Sequence, residues 1–101
     1  LRGDGDDILV GSRSNIQDMA VIHVDPGYPS HIGEECIIGH GAIIHGAQIG
    51  RNCLVGMNAV IMDNVDLGDG SIVGGLSFVK QGEKIPERSL VVGNPARPLD
   101  R

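Results

Sequence analysis

The chain has 101 residues, among them 16 glycines, 5 prolines and only two aromatic residues, Tyr28 and Phe78. Its length allows one hydrophobic core, so residues 1–101 are expected to form a single domain. Hydrophobic residues make up 41% and charged residues 21% of the chain, a composition that excludes a disordered protein. A net charge of −5 argues against nucleic-acid or anionic-membrane partners, and no apolar run approaches the roughly 20 residues that span a bilayer.

Aliphatic residues recur at every sixth position along most of the chain and predict its strands in order. The series begins with Val10, Ile16 and Ile22 and, after a step of ten residues, resumes at Ile32. It continues through Ile38 and Ile44 and then takes one step of five. From that point the spacing of six is unbroken, at Ile49, Val55, Ile61, Leu67, Val73, Val79, Ile85 and Val91. Helices have a period of 3.6 residues and ordinary strands a period of 2, so neither explains this pattern.

Small residues and glycines accompany the aliphatic series. A small residue usually stands two positions before each aliphatic residue, and glycine often stands directly after it, as at Gly11, Gly33, Gly39, Gly50, Gly56, Gly68 and Gly74. Small residues at corners, with glycine free to take positive φ, predict an all-β fold, a parallel β-helix with three short strands per coil. A narrow triangular prism of this kind accommodates Ile and Val but not Trp, which explains the scarcity of aromatic residues.

Three hexads close one coil, so every third aliphatic residue should stack on its predecessor. The three predicted ladders are Val10–Ile32–Ile49–Leu67–Ile85, Ile16–Ile38–Val55–Val73–Val91 and Ile22–Ile44–Ile61–Val79.

The ladders predict the positions of the histidines. His23 follows Ile22 and His45 follows Ile44, so the two side chains should lie side by side in successive coils. His40 belongs to the second ladder and should lie on another edge. Catalytic zinc takes three protein ligands and keeps one open position. The pattern therefore predicts a metal site completed by a neighbouring subunit, and a homotrimer would contain three such sites.

Other polar residues have simpler interpretations. His31 stacks with nothing evident and is not expected to be a ligand. Cys36 and Cys53 should be neighbours one coil apart; a disulfide between them is possible in geometry, but filling the small inward slot is the favoured interpretation. Two cysteines form no disulfide framework, which favours a reducing cytoplasm. Asp63, Asp66 and Asp69 are interpreted as solvated turn residues.

With these motifs placed, the sequence resembles the gamma-class carbonic anhydrases and their hexapeptide-repeat relatives. The matching segments are Arg2-Gly3-Asp4, Asn15-Ile16-Gln17-Asp18, Val21-Ile22-His23, Gly39-His40 and Ile44-His45-Gly46. The C-terminal part, from Gly56 to Ala96, is most similar to the branch that includes phenylacetate- and carnitine-pathway accessory proteins. The resemblance implies a left-handed helix and a longer chain, with one more coil before Leu1 and a C-terminal helix after Arg101, so the domain is expected to be a fragment.

The resemblance also implies a function. It assigns His23 and His45 of one chain and His40 of the next to a shared Zn²⁺, although imidazole also suits Fe²⁺ or Co²⁺. Arg2 and Asp4 would pair across the interface, and Asn15 and Gln17 would orient the metal-bound solvent or the substrate. The implied enzyme is a lyase in which a metal-bound hydroxide hydrates CO₂ reversibly to bicarbonate.

Two departures from the family leave other functions open. Gly5 replaces a glutamate of the best-studied members, and the insertion from Val24 to His31 is short and lacks the glutamate that shuttles protons. Asp6, Asp7, Asp25 and His31 are the candidates to replace it. The alternatives are a zinc-dependent acyl-CoA thioesterase or acyltransferase, and a metal-stabilised trimeric scaffold with weak catalysis.

Overall fold

Strands of two to four residues form around the aliphatic positions in the computed structural model, which describes residues 7–99. Every third strand pairs in parallel with the one before it, so the chain winds into three sheets. The first sheet contains β1 (Ile8–Val10), β4 (Ser30–Ile32), β7 (Gln48–Ile49), β10 (Asp66–Leu67) and β13 (Lys84–Ile85). The second contains β2 (Asn15–Ile16), β5 (Ile37–Ile38), β8 (Leu54–Val55), β11 (Ile72–Val73), β14 (Leu90–Gly93) and β15 (Ala96–Pro98). The third contains β3 (Val21–Ile22), β6 (Ile43–Ile44), β9 (Val60–Ile61) and β12 (Phe78–Val79).

The strand register confirms the three predicted ladders. Ile32 pairs with Val10 and Ile49 in the first sheet, and the other two ladders follow the same rule throughout. Their side chains fill the prism and, apart from Val10 and Ile16 at one end, are almost completely buried. The core therefore consists of stacked Ile, Val and Leu, with small residues at the corners. This arrangement confirms the predicted parallel β-helix.

The corners differ from the prediction in how they use glycine. The glycines that follow the aliphatic residues do not take positive φ. Gly33 shows their actual role, because a Cβ there would lie 2.7 Å from the carbonyl oxygen of Gly50 in the next coil. The left-handed conformation falls instead on turn residues. At some corners this residue is a glycine, namely Gly41, Gly70 or Gly82, with φ between 69° and 82°. At the others it is a residue with a side chain and φ between 55° and 65°, namely Arg13, Met19, Glu35, Asn52, Asn58, Asn64, Leu76 or Arg88.

The C-terminal end of the prism carries a hairpin that the hexapeptide period does not predict. The strand β15 runs antiparallel to β14, with Val91 opposite Pro98 and Gly93 opposite Ala96. Ala96 is buried against the last coil, and the Leu99 amide donates a hydrogen bond to the Leu90 carbonyl at 2.8 Å. The hairpin thus covers the last parallel strand of the second sheet.

Residues 7–99 form no α-helix. Accordingly, this part of the chain has no helix that is long and apolar enough to cross a membrane.

Candidate metal site

His23 and His45 lie side by side at the edge where the third sheet ends, as predicted. The His23 amide donates to the Ile44 carbonyl and the His45 amide to the Ile61 carbonyl, both at 2.8 Å, so the parallel ladder continues one residue past the strands. The ring centroids are 5.4 Å apart and the rings are nearly perpendicular, at 89°. Both side chains are half-buried. This edge therefore presents two imidazoles in a fixed mutual orientation.

His40 lies at the opposite edge of the third sheet, in the corner that precedes β6, and is exposed. Its carbonyl accepts a hydrogen bond from the Asn58 amide at 2.9 Å, and the Asp18 carbonyl accepts one from Gly41 at 3.1 Å. Because of this stacking, His40 lies between Asp18 and Met57 of the neighbouring coils. The structure therefore separates His40 from the pair formed by His23 and His45.

Asn15 and Gln17 lie on the side of the molecule that carries His40. Asn15 is exposed on β2 opposite Ile37. Gln17 directly follows that strand, and its backbone amide donates a hydrogen bond to the Ile38 carbonyl at 2.9 Å. The predicted site residues are thus divided between two places. His23 and His45 lie at the edge where the third sheet ends, whereas His40 and Gln17 lie at the corner between the second and third sheets and Asn15 lies at the start of β2 in the second sheet.

The donor set of one chain does not fit a zinc ion by itself. Within residues 7–99, no three His, Cys, Asp or Glu side chains lie close enough together to hold a metal. Two imidazoles leave zinc one protein ligand short. The residues present would fit the metal with one further ligand at the edge that carries His23 and His45, such as His40 of a second chain.

Several predicted residues lie outside the described part of the chain or away from the histidine pair. Arg2, Asp4, Gly5 and Asp6 lie outside residues 7–99. His31 lies directly after the insertion, on β4 in the first sheet, between Leu9 and Gln48.

The insertion after His23 folds back over the corner that follows His45. Residues 25–28 form a tight turn, closed by a hydrogen bond of 3.0 Å from the Tyr28 amide to the Asp25 carbonyl, with Gly27 at φ 87°. The Tyr28 backbone then packs so closely on Gly46 that a Cβ at position 46 would collide with the Tyr28 carbonyl. The long step from Ile22 to Ile32 and the short step from Ile44 to Ile49 therefore meet at one corner, because the insertion occupies space beside the shortened turn.

Two residues at this corner were missed as site residues from the sequence. The Ser30 hydroxyl is fully buried, donates to the His45 carbonyl at 2.8 Å and lies 3.4 Å from the His23 carbonyl. The Asp63 carboxylate accepts a hydrogen bond of 2.9 Å from the Gly46 amide. The small-residue pattern identified Ser30 only as a corner residue. Asp63 is a partly exposed turn residue, and the sequence did not reveal that its carboxylate also caps this amide.

Comparison with known proteins agrees with the fold and the repeat. The bacterial transferase hexapeptide family (six repeats) matches residues 46–81. The chain is 48% identical over 97 residues to the carnitine operon protein CaiE of Escherichia coli (strain K12), covering 96% of this chain and 50% of that protein. It is 50% identical over 97 residues to a "Probable carbonic anhydrase" of Methanocaldococcus jannaschii, covering 96% of this chain and 61% of that protein.

A solved structure shows the same architecture. The hexapeptide transferase family protein from Anaplasma phagocytophilum superimposes with a TM-score of 0.93 at 36% identity, covering 98% of this chain and 58% of that one. The chain spans about half to three-fifths of the length of these relatives. The chain therefore carries the hexapeptide repeat of the bacterial transferase hexapeptide family over residues 46–81, and it is similar to hexapeptide-repeat proteins and to one protein named a probable carbonic anhydrase.

Proposed function

We propose that the protein hydrates CO₂ reversibly to bicarbonate at a zinc site shared between neighbouring subunits of a homotrimer. The observation that carries the proposal is the division of the three histidines, with His23 and His45 5.4 Å apart at one edge of a sheet and His40 exposed at the other. A similarity to a protein named as a probable carbonic anhydrase supports the same chemistry.

The site residues would act in two groups. His23 and His45 of one chain, with His40 of the next, would hold the metal through ring nitrogens. Gln17 and Asn15 lie on the side of His40 and would orient CO₂ or bicarbonate through their amide groups. A bound Zn²⁺ supplies the activation of water, whose pKa it lowers from about 15.7 to about 7.

The surface around His40 supports association with a second copy. Ile37, Leu54 and Ile72 stand in register on the outer face of the second sheet, each between 38% and 42% exposed. The adjoining corner exposes three more apolar side chains, those of Met19, Met57 and Leu76. Contiguous apolar surface of this kind is typical of a protein interface. The outer face of the first sheet, by contrast, carries Gln48 and an ion pair between Asp66 and Lys84.

The buried, free cysteines support the expected cytoplasmic location.

An acyl-CoA thioesterase or acyltransferase is the second candidate. It is favoured by the match to the bacterial transferase hexapeptide family and by the similarity to a hexapeptide transferase family protein. A metal-stabilised trimeric scaffold with weak catalysis is the third.

The test combines metal analysis, oligomeric mass and two assays on the purified chain. We expect a trimer with about one zinc ion per chain and CO₂ hydration above the uncatalysed rate in a stopped-flow indicator assay. His40→Ala should lose both zinc and activity, whereas His31→Ala, which removes a histidine on the first sheet, should keep its zinc.

Three results would contradict the proposal in different ways. Thiol release from acyl-CoA without CO₂ hydration would favour the thioesterase. A zinc-loaded trimer inactive in both assays would favour the scaffold. A metal-free monomer would overturn the shared site.

A further inference from the structure

We propose that Ser30 and Asp63 are positioning residues that hold the His45 imidazole in the orientation required for metal binding. The inference rests on the proposed zinc site, and it assigns roles to two residues that would not bind the metal themselves. Both act on the peptide group between His45 and Gly46.

This peptide group is held from both ends by side chains of other coils. Its carbonyl accepts the hydrogen bond of the Ser30 hydroxyl at 2.8 Å, and its amide donates to the Asp63 carboxylate at 2.9 Å. The peptide unit is planar, so bonds at its two ends fix its rotation about the chain axis. The backbone of Tyr28, packed on Gly46, restricts movement in a third direction.

Rotation of this peptide would move the side chain of His45. The carbonyl carbon of the peptide is bonded to the Cα of His45, so a change in its plane changes the backbone angles that aim the Cβ. His23 and His45 must present their ring nitrogens to one ion, and groups that orient metal ligands typically contribute about 10- to 100-fold to metal affinity. A hydrogen bond to His45 is therefore expected to affect metal binding as well as folding.

The molecule contains the same arrangement at a corner without histidines. The Gly50 carbonyl accepts a hydrogen bond from the Cys36 thiol at 2.9 Å, and the Arg51 amide donates a hydrogen bond to the Asp69 carboxylate at 2.8 Å. The double clamp thus stabilises a corner wherever it occurs, but only at His45 does it hold a predicted ligand. The second corner provides a matched control, and it shows that a thiol can replace the serine hydroxyl.

The experiment measures zinc affinity of the full chain by competition with a chromophoric chelator, alongside the melting temperature of the metal-free protein. Ser30→Ala and Asp63→Ala should each weaken zinc binding by about 10- to 100-fold. Asp69→Ala should lower the melting temperature by a similar amount to Asp63→Ala and leave the zinc affinity unchanged. Ser30→Cys and Asp63→Asn keep a donor and an acceptor in place and should restore most of the affinity.

Substituting Co²⁺ supplies a second readout, since the visible spectrum reports ligand geometry. We expect the spectrum to change in Asp63→Ala and to match wild type in Asp69→Ala. If Ser30→Ala does not fold, the half-buried Asp63 and its control decide the question. Wild-type zinc affinity in Asp63→Ala, or equal losses in Asp63→Ala and Asp69→Ala, would overturn the positioning role alone. A wild-type chain that binds no zinc would overturn the proposed function as well.

Discussion

Cysteine and serine perform the same task at one corner of the prism. Ser14 donates to the Gly33 carbonyl at 2.7 Å, Cys36 to Gly50 at 2.9 Å, Cys53 to Gly68 at 3.2 Å and Ser71 to Pro86 at 3.0 Å. Each side chain thereby satisfies a carbonyl that turns inward at the corner of the next coil. The interpretation of the cysteines as occupants of small inward slots is confirmed, since both are buried and free.

The thiols should be unreactive in the folded protein. Cys36 and Cys53 are no more than 2% exposed, so a reagent cannot reach either sulfur atom. The hydrogen bond between the two side chains raises the pKa of Cys53 above its ordinary value and lowers the pKa of Cys36 to about 6, so Cys36 is protected by its burial and not by its protonation. The thiolate is the reactive form. A disulfide reagent such as dithionitrobenzoate should titrate almost no thiol in buffer and both thiols in denaturant. Rapid modification of the native chain would contradict this expectation.

The corner at Gly46 is the element in which a single methyl group has the largest expected effect. Gly46→Ala would force its Cβ into the Tyr28 carbonyl, and overpacking of this kind costs about 1–3 kcal/mol. Such a loss corresponds to roughly 5–20 °C in melting temperature for a domain of this size.

A matched control tests whether the crowding at Gly46 is the cause. Gly75→Ala places a methyl group at an exposed corner, where the nearest atom is the Met57 carbonyl oxygen at 3.3 Å. Thermal unfolding followed by circular dichroism at one protein concentration should show a much smaller shift for Gly75→Ala. Equal shifts would show that the insertion does not press on Gly46 in solution.

Strands and ladders were predictable because, in a parallel β-helix with a regular repeat, one pair of stacked residues determines the partners of all the residues that follow in that sheet. Once Ile32 pairs with Ile49, every later aliphatic residue in that sheet has a fixed partner. The pairing of His23 with His45 follows from the same rule. The antiparallel strand β15 was not predictable, because it follows the last hexad and the hexapeptide repeat predicts only parallel pairing. The contacts of Ser30 were not predictable either. They depend on how the insertion after His23, which is four residues longer than the repeat, packs against the turn after His45, which is one residue shorter.

The exposed apolar faces of the whole molecule lead to a prediction about assembly. Leu54 stands in the middle of the apolar stripe on the second sheet, whereas Leu9 is exposed on the first sheet beside His31. Leu54→Glu should convert the proposed trimer to monomers, because a buried unpaired charge is costly. Zinc should be lost at the same time, since the site requires His40 of a neighbour.

Leu9→Glu is the matched control, because it introduces the same charge at an exposed leucine outside that stripe. Light scattering should show an intact trimer for this variant, with zinc retained. A trimeric Leu54→Glu variant would place the interface elsewhere on the molecule. A monomeric Leu54→Glu variant that retains full zinc affinity would instead contradict the sharing of the site.

The two changes in repeat length lie in neighbouring coils and meet at the Tyr28–Gly46 corner. One layer contains four extra residues and the next lacks one, yet Ile49, Leu67 and Ile85 stack above them in perfect sequence. The change in repeat length is therefore confined to this corner, and the aliphatic residues of the later coils keep their register. Among the coils that residues 7–99 form, the insertion makes this corner different from the corners above it. His23 and His45 stand at this corner, so substitutions in the insertion should change the surroundings of the proposed site without disturbing the ladders that hold it.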